Sequence, residues 1–248
     1  MTGAMGVAGA KAEPLPRLVI DDSARDTTSK IWYALPSGFM AVPLERLSPS
    51  TGSEPEQQLE KVETLVLDAA PAEVREHYLG ALRDVRAMAE YMQREEIIDC
   101  CMGMHLADDG SSAASVFTVT LQQIDWSPPK VTVLRAVASR ESAANIGLLT
   151  LPGDNPASVA DTLVREFSVP GQRPQDLYQC TVYVPDPSGL QLAILTLSTT
   201  AVSVRPHYRQ MMEGVAYTVS FVDPMPEIER AARGGFSRVK DDIASDFG

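Results

Sequence analysis

The stretch Ile97-Ile-Asp-Cys-Cys-Met-Gly-Met-His-Leu106 is followed by Ala107-Asp-Asp-Gly-Ser-Ser112 and then, from Ser115, by Ser-Val-Phe-Thr-Val-Thr-Leu-Gln-Gln-Ile124. Two strand-like runs flank a turn that carries Asp-Gly, the dipeptide favoured in tight hairpins. In the second run Val116, Thr118, Thr120 and Gln122 alternate with Phe117, Val119, Leu121 and Gln123. Side chains alternate across a strand, so one face is more polar than the other. This predicts an antiparallel hairpin in the middle of the chain.

Upstream of it two helices are expected. Pro55 opens the first, which runs to Ala69, and proline suits the first turn. The second starts at Pro71, and Val74, Tyr78, Ala81, Leu82, Val85, Met88, Ala89 and Met92 form one apolar stripe along it. Before the helices, Ile31–Leu35 and Phe39–Leu44 flank Pro36-Ser-Gly38 and read as a hairpin.

Downstream, Ser127-Pro-Pro starts a helix expected to reach about Ala144. Strands are expected over Ile146–Leu151, Val159–Val169, Leu177–Val184 and Leu190–Thr199, the last two joined by the turn Pro185-Asp-Pro-Ser-Gly189. Pro206 begins a final helix carrying Tyr208, Met211, Met212, Val215 and Val219. Strands come in adjacent pairs instead of alternating with helices. The expected class is therefore α+β, a mainly antiparallel sheet flanked by helices in an α/β/α sandwich. Residues 31–222 form its single domain, between a flexible leader (1–30) and a flexible tail (223–248) with a short helix over 227–233.

A chain of 248 residues buries enough surface to fold without metal or disulfide. Its three cysteines, an odd number, form no secreted framework. The net charge of −12 argues against a general nucleic-acid binder, which needs clustered Lys and Arg. The acidity is concentrated: residues 45–99 hold thirteen acidic and six basic side chains, a net of −7. The longest apolar run, Leu190–Val204, is too short to cross a bilayer, so no membrane insertion is expected. No basic residue precedes the apolar opening, the wrong order for a secretory signal, and a cytoplasmic location is expected.

The sequence contains no phosphate-binding glycine loop and no Gly-x-Ser-x-Gly elbow, and no cofactor is expected. Asp99, Cys100, Cys101 and His105 make the only local Cys/His cluster. On a strand the two cysteines face opposite ways, so buried apolar thiols are expected and no metal site is assigned. An enzyme using Cys100, His105 and Asp99 stays open as an alternative. His77 reads as a boundary residue of the long helix, and His207 as a helix-start surface residue. Asp108-Asp109, Glu95-Glu96 and Asp241-Asp242 read as solvated charges, because acid–base work needs a desolvated carboxyl. No catalytic residue is assigned. The opening hairpin supplies the candidate partner-binding residues Trp32, Tyr33, Phe39 and Met40, although core packing of that hairpin is the competing reading. Met102, Met104, Met211 and Met212 suit either an adaptable surface or an irregular core.

Three segments carry a resemblance: Leu35-Pro-Ser-Gly-Phe-Met-Ala-Val-Pro-Leu44, Cys100-Cys-Met-Gly-Met-His105, and Leu195-Thr-Leu-Ser-Thr199 with Met211-Met-Glu-Gly-Val-Ala-Tyr-Thr-Val-Ser-Phe221. Over residues 31–222 the chain resembles actinobacterial proteins of PsbP-like, LpqN-like fold. The resemblance implies an antiparallel sheet flanked by helices and a binding or accessory role, in some members linked with envelope or secretion systems. It carries no shared catalytic set. Lipoprotein members bear a lipidated cysteine near their start, where this chain has none. The expectation is a non-catalytic accessory or adaptor protein that binds a protein partner in a secretion-related or other multiprotein system; a structural subunit of an assembly is the third reading.

Overall fold

The computed structural model describes residues 18–19, 29–47, 49, 52–69, 71–106, 112–139, 143, 145–167, 174–226 and 228. Its strands are β1 (Leu18–Val19), β2 (Leu35–Pro36), β3 (Phe39–Ala41), β4 (Ile97–Leu106), β5 (Ser112–Gln123), β6 (Asn145–Leu151), β7 (Asn155–Phe167), β8 (Gln175–Pro185) and β9 (Gln191–Thr199). Its helices are α1 (Leu44–Leu47), α2 (Glu54–Ala69), α3 (Ala72–Arg94), α4 (Pro129–Ala138) and α5 (Arg205–Ala216). The class is α+β. Seven strands form one sheet in the order β3-β4-β5-β9-β8-β7-β6, and every neighbouring pair is antiparallel.

The central hairpin forms as expected: Cys101 lies opposite Phe117 and Met102 opposite Val116. The opening segment differs. β2 and β3 flank the Ser37-Gly38 turn but do not pair with each other. β2 pairs with β1, inside the stretch read as a leader, and β3 pairs with β4. A short apolar run seeks the partner that covers it, and on the β4 edge Phe39 is half-buried against the main core, which an isolated two-stranded hairpin could not offer. α4 stops at Ala138, short of the expected Ala144, and α5 at Ala216, so Val219 lies beyond it. The remainder of the leader up to residue 28, the Asp108-Asp109 turn and most of the tail, with all of its expected helix but Ile228 and with Asp241-Asp242, lie outside the described residues.

One face of the sheet holds the main core. Phe117, Val119 and Leu121 of β5, Ala193, Leu195 and Leu197 of β9, Cys180, Val182 and Val184 of β8 and Val159 of β7 are buried there against Tyr208, Met211, Met212, Val215 and Ala216 of α5. Each large apolar side chain moved out of water contributes about 1.5–3 kcal/mol. The opposite face carries two smaller cores. Ala89 and Met92 of α3 pack with Leu44 of α1 on Cys100 and Val116. Ala136 of α4 packs on Ala160, Tyr183 and Leu192. Between those two covers lies a polar strip, Thr118, Thr196 and Thr181, aligned across β5, β9 and β8. The Thr181 and Thr196 hydroxyls lie 3.3 Å apart, and Thr118 Oγ1 donates to the Thr196 carbonyl at 3.5 Å. That strip is the more polar face expected from the alternation in β5. Among the described residues no helix is long and apolar enough to cross a membrane.

Candidate functional site

The four residues singled out in the opening segment separate. Trp32 is buried, and its backbone exchanges two hydrogen bonds of 2.9 Å with Ser220. The Tyr33 ring lies 5.5 Å from that of Phe117, and its hydroxyl donates to Asp99 Oδ2. Phe39 meets the same Phe117 ring edge-on at 6.3 Å. Aromatic stacking on a fully buried ring anchors the segment to the core. Of the four, only Met40 presents a largely exposed side chain.

The local Cys/His cluster is divided by the pleat. Cys101 belongs to the main core and Cys100 to the small core beneath α3 and α1. Asp99 faces Tyr33, on the side opposite Cys100. The backbone of His105 pairs with Ala113, and its side chain, like that of His77, lies outside the described residues. Burial, reinforced by the Asp99 carboxylate, pushes the Cys100 thiol up to about 11, which keeps it protonated at neutral pH. Among the described residues no group of three or more His, Cys, Asp or Glu is placed to hold a metal ion.

The structure does assemble one polar cluster that the sequence reading missed, at the β6 end of the main core. Arg209 of α5 reaches Asp161 of β7 at 2.9 Å and Glu213, one turn on, at 3.0 Å. Arg209 Nη1 also donates to the Asn145 carbonyl of β6 at 3.4 Å, and the Tyr178 hydroxyl donates to Asp161 Oδ1 at 3.0 Å. Gly147 leaves the room: a Cβ there would sit 2.7 Å from Arg209 Nη2. Through the Asn145 carbonyl these contacts link β6 to α5 and β7. The signal in the sequence was an Arg and a Glu four apart on the polar side of α5, which by itself cannot indicate a partner on a distant strand.

Among the described residues, β6 is the last strand of the sheet. Sheet edges expose unpaired amide and carbonyl groups, and proteins ordinarily blunt them with charge, proline or brevity. β6 does none of this. Asn145-Ile-Gly-Leu-Leu-Thr-Leu151 is seven residues long and uncharged, with Ile146 and Leu148 on the face away from α5 at 49% and 69% exposure. The other edge strand, β3, is only three residues long. A further feature is a cleft of about 370 Å³ between α4 and the end of β5, lined by Ser127, Thr132, Arg135 and Leu192 among others. No protein-family model matches the chain, and no curated protein matches it well enough to count as a relative.

Proposed function

We propose that this protein is a non-catalytic accessory protein that takes an extended segment of a protein partner along β6. The observation that carries the reading is the β6 edge: seven uncharged residues, fastened from within by Arg209, with exposed Ile146 and Leu148 on one face. Strand addition of this kind draws affinity from main-chain hydrogen bonds and selectivity from alternate side chains. Ile146 and Leu148 are two positions apart, so both meet the same face of an added strand. The partner segment this edge fits is itself apolar at alternate positions and free of proline at its bonding positions.

The PsbP-like, LpqN-like assignment belongs to the same proposal, supported by the seven-stranded antiparallel sheet with helices packed on it. So does a place in a secretion-related assembly, where accessory modules commonly act by binding.

The test is site-specific photo-crosslinking from position 148 of the full chain in its native host. The expected result is one dominant crosslinked protein, whose yield collapses in an Ile146→Lys background. A crosslink pattern that Ile146→Lys leaves unchanged refutes the reading.

A further inference from the structure

On the opposite edge, β3 and β4 bring three methionines onto one patch. Met40 lies directly opposite Met102 in the backbone register. Met104 follows Met102 by two residues on the same strand and therefore shares its face. All three point away from the main core, since their neighbours Phe39 and Cys101 pack into that core on the other face. Their exposures are 61% for Met40, 44% for Met102 and 61% for Met104, so the thioethers are open to solvent. Side chains directly opposed across two strands have Cβ atoms about 4.5–5.5 Å apart, and diagonal ones about 7–8 Å. The three rotatable torsions of methionine span such gaps, so the three sulfurs can converge on one point above the sheet.

We propose that Met40, Met102 and Met104 form a surface site for Cu(I), held by three thioether sulfurs. Ligand softness decides the ion. Thioethers are soft, neutral donors that select Cu(I) over the hard divalent cations, which prefer carboxylate and carbonyl oxygen. One of the three, Met40, stands on the short edge strand β3, a position where proteins ordinarily place charge or proline, and the other two stand beside it on β4. No proton is displaced on binding, because a thioether carries none, so the affinity is flat with pH where a thiolate or imidazole site is not. The site is independent of the β6 edge, at the other end of the sheet.

The experiment uses the full chain with isotope-labelled methionine methyl groups and Ag(I), a redox-inert ion of the same charge and softness. Of ten methionines, the methyl signals of Met40, Met102 and Met104 are expected to shift together and saturate at one equivalent, with the buried Met211 and Met212 unmoved. Competition for Cu(I) against a chromogenic chelator, under reducing anaerobic conditions, is expected to show at least a tenfold weaker Kd for Met102→Leu, with no change between pH 6 and 8. Met102→Leu replaces one exposed apolar side chain by another of similar size, so the fold is retained, and Met40→Leu serves as the second variant. Shifts spread over other exposed methionines without saturation overturn the proposal. So does unchanged affinity in both leucine variants, or movement of the Met211 and Met212 signals that betrays metal at the buried thiols.

Discussion

Asp161 on β7 and Arg209 on α5 meet at 2.9 Å where the last helix crosses the end of the sheet. Asp161 is buried and also accepts from the Tyr178 hydroxyl. A carboxylate left in such a place without its cation bears its desolvation cost alone. Arg209→Met is therefore expected to cost about 2–4 kcal/mol in urea unfolding. Combining it with Asp161→Asn should cost less than the sum of the two, with a coupling of about 1 kcal/mol or more.

Gly147 tests the same contact from the strand side. An alanine Cβ there would meet Arg209 Nη2 at 2.7 Å and Val159 Cγ1 at 3.0 Å. The guanidinium must swing away, so Gly147→Ala is expected to cost about 1–3 kcal/mol. The penalty should shrink when Arg209 is already methionine, because the nearer collision is gone. Equal penalties in both backgrounds, read from urea midpoints, would show that the guanidinium is not what fills the space.

The buried thiols give a pH dependence of defined sign. Burial, with the Asp161 carboxylate adding to it, pushes Cys180 from an ordinary 9.0 up to about 12. Cys100 rises to about 11 for the same first reason, with Asp99 as its neighbouring charge. An acid whose folded pKa lies above its unfolded one stays protonated longer in the folded state. Its stabilisation is complete below pH 9 and is lost as pH rises towards 11–12. The urea midpoint is expected to hold steady from pH 7 to 8.5 and to fall between 9 and 10.5. At pH 8 the native chain should leave a thiol reagent unconsumed, and all three cysteines should react once it is denatured.

Much of this architecture was legible beforehand. The alternation in β5 and the stripe on α3 are local patterns, and the elements they predict form within a few residues of the expected bounds. The pairing of β3 with β4 was not legible, because three helices separate those strands and no turn residue reports on so distant a neighbour. Trp32, Tyr33 and Phe39 read first as core packing of the hairpin and second as a partner surface, and the distant Phe117 under Tyr33 and Phe39 and Ser220 beside Trp32 place all three against the fold. The methionine patch was half legible: Met102-Gly-Met104 marks one face of a strand, but the third thioether comes from residue 40. The Asp161–Arg209 pair left no local trace, as the two residues are far apart in the chain.

Gly189 holds the approach to α4. Its φ is +77°, and a Cβ there would lie 2.4 Å from the Ser127 carbonyl oxygen, a backbone atom with little room to move. The Ser127 amide donates to the Gly189 carbonyl at 3.1 Å, joining the turn to the segment that starts the helix. Gly189→Ala combines backbone strain with this collision and is expected to cost about 2–4 kcal/mol. The thermal midpoint should fall, and amide exchange should quicken first at Thr132, whose amide is bonded to Pro128.

Charging the free edge should leave the fold intact. Ile146 and Leu148 are exposed, so lysine at either is expected to change stability by no more than about 0.5 kcal/mol. The same substitutions should suppress edge-to-edge self-association, which light scattering at high concentration can follow. A large loss of stability would mean that these side chains are covered.

The strand order carries a consequence for dividing the chain. β3, β4 and β5 are neighbours on one side, β6 to β9 on the other, and within the sheet the two blocks pair only where Ser115–Gln123 runs beside Gln191–Thr199, with α4 on β7 and β8 and the Trp32–Ser220 bridge joining them outside it. Phe117, Val119 and Leu121 come from one block; Ala193, Leu195 and Leu197 lie opposite them from the other. A polypeptide broken between Ala138 and Asn145 gives two fragments, each with an unzipped apolar border along this seam. Neither can hide that border alone, and each is the other's template. The protein is thus built as a complementing pair: co-expressed halves should recombine along the β5–β9 seam, and their recovery offers a direct readout of whatever strengthens or weakens it.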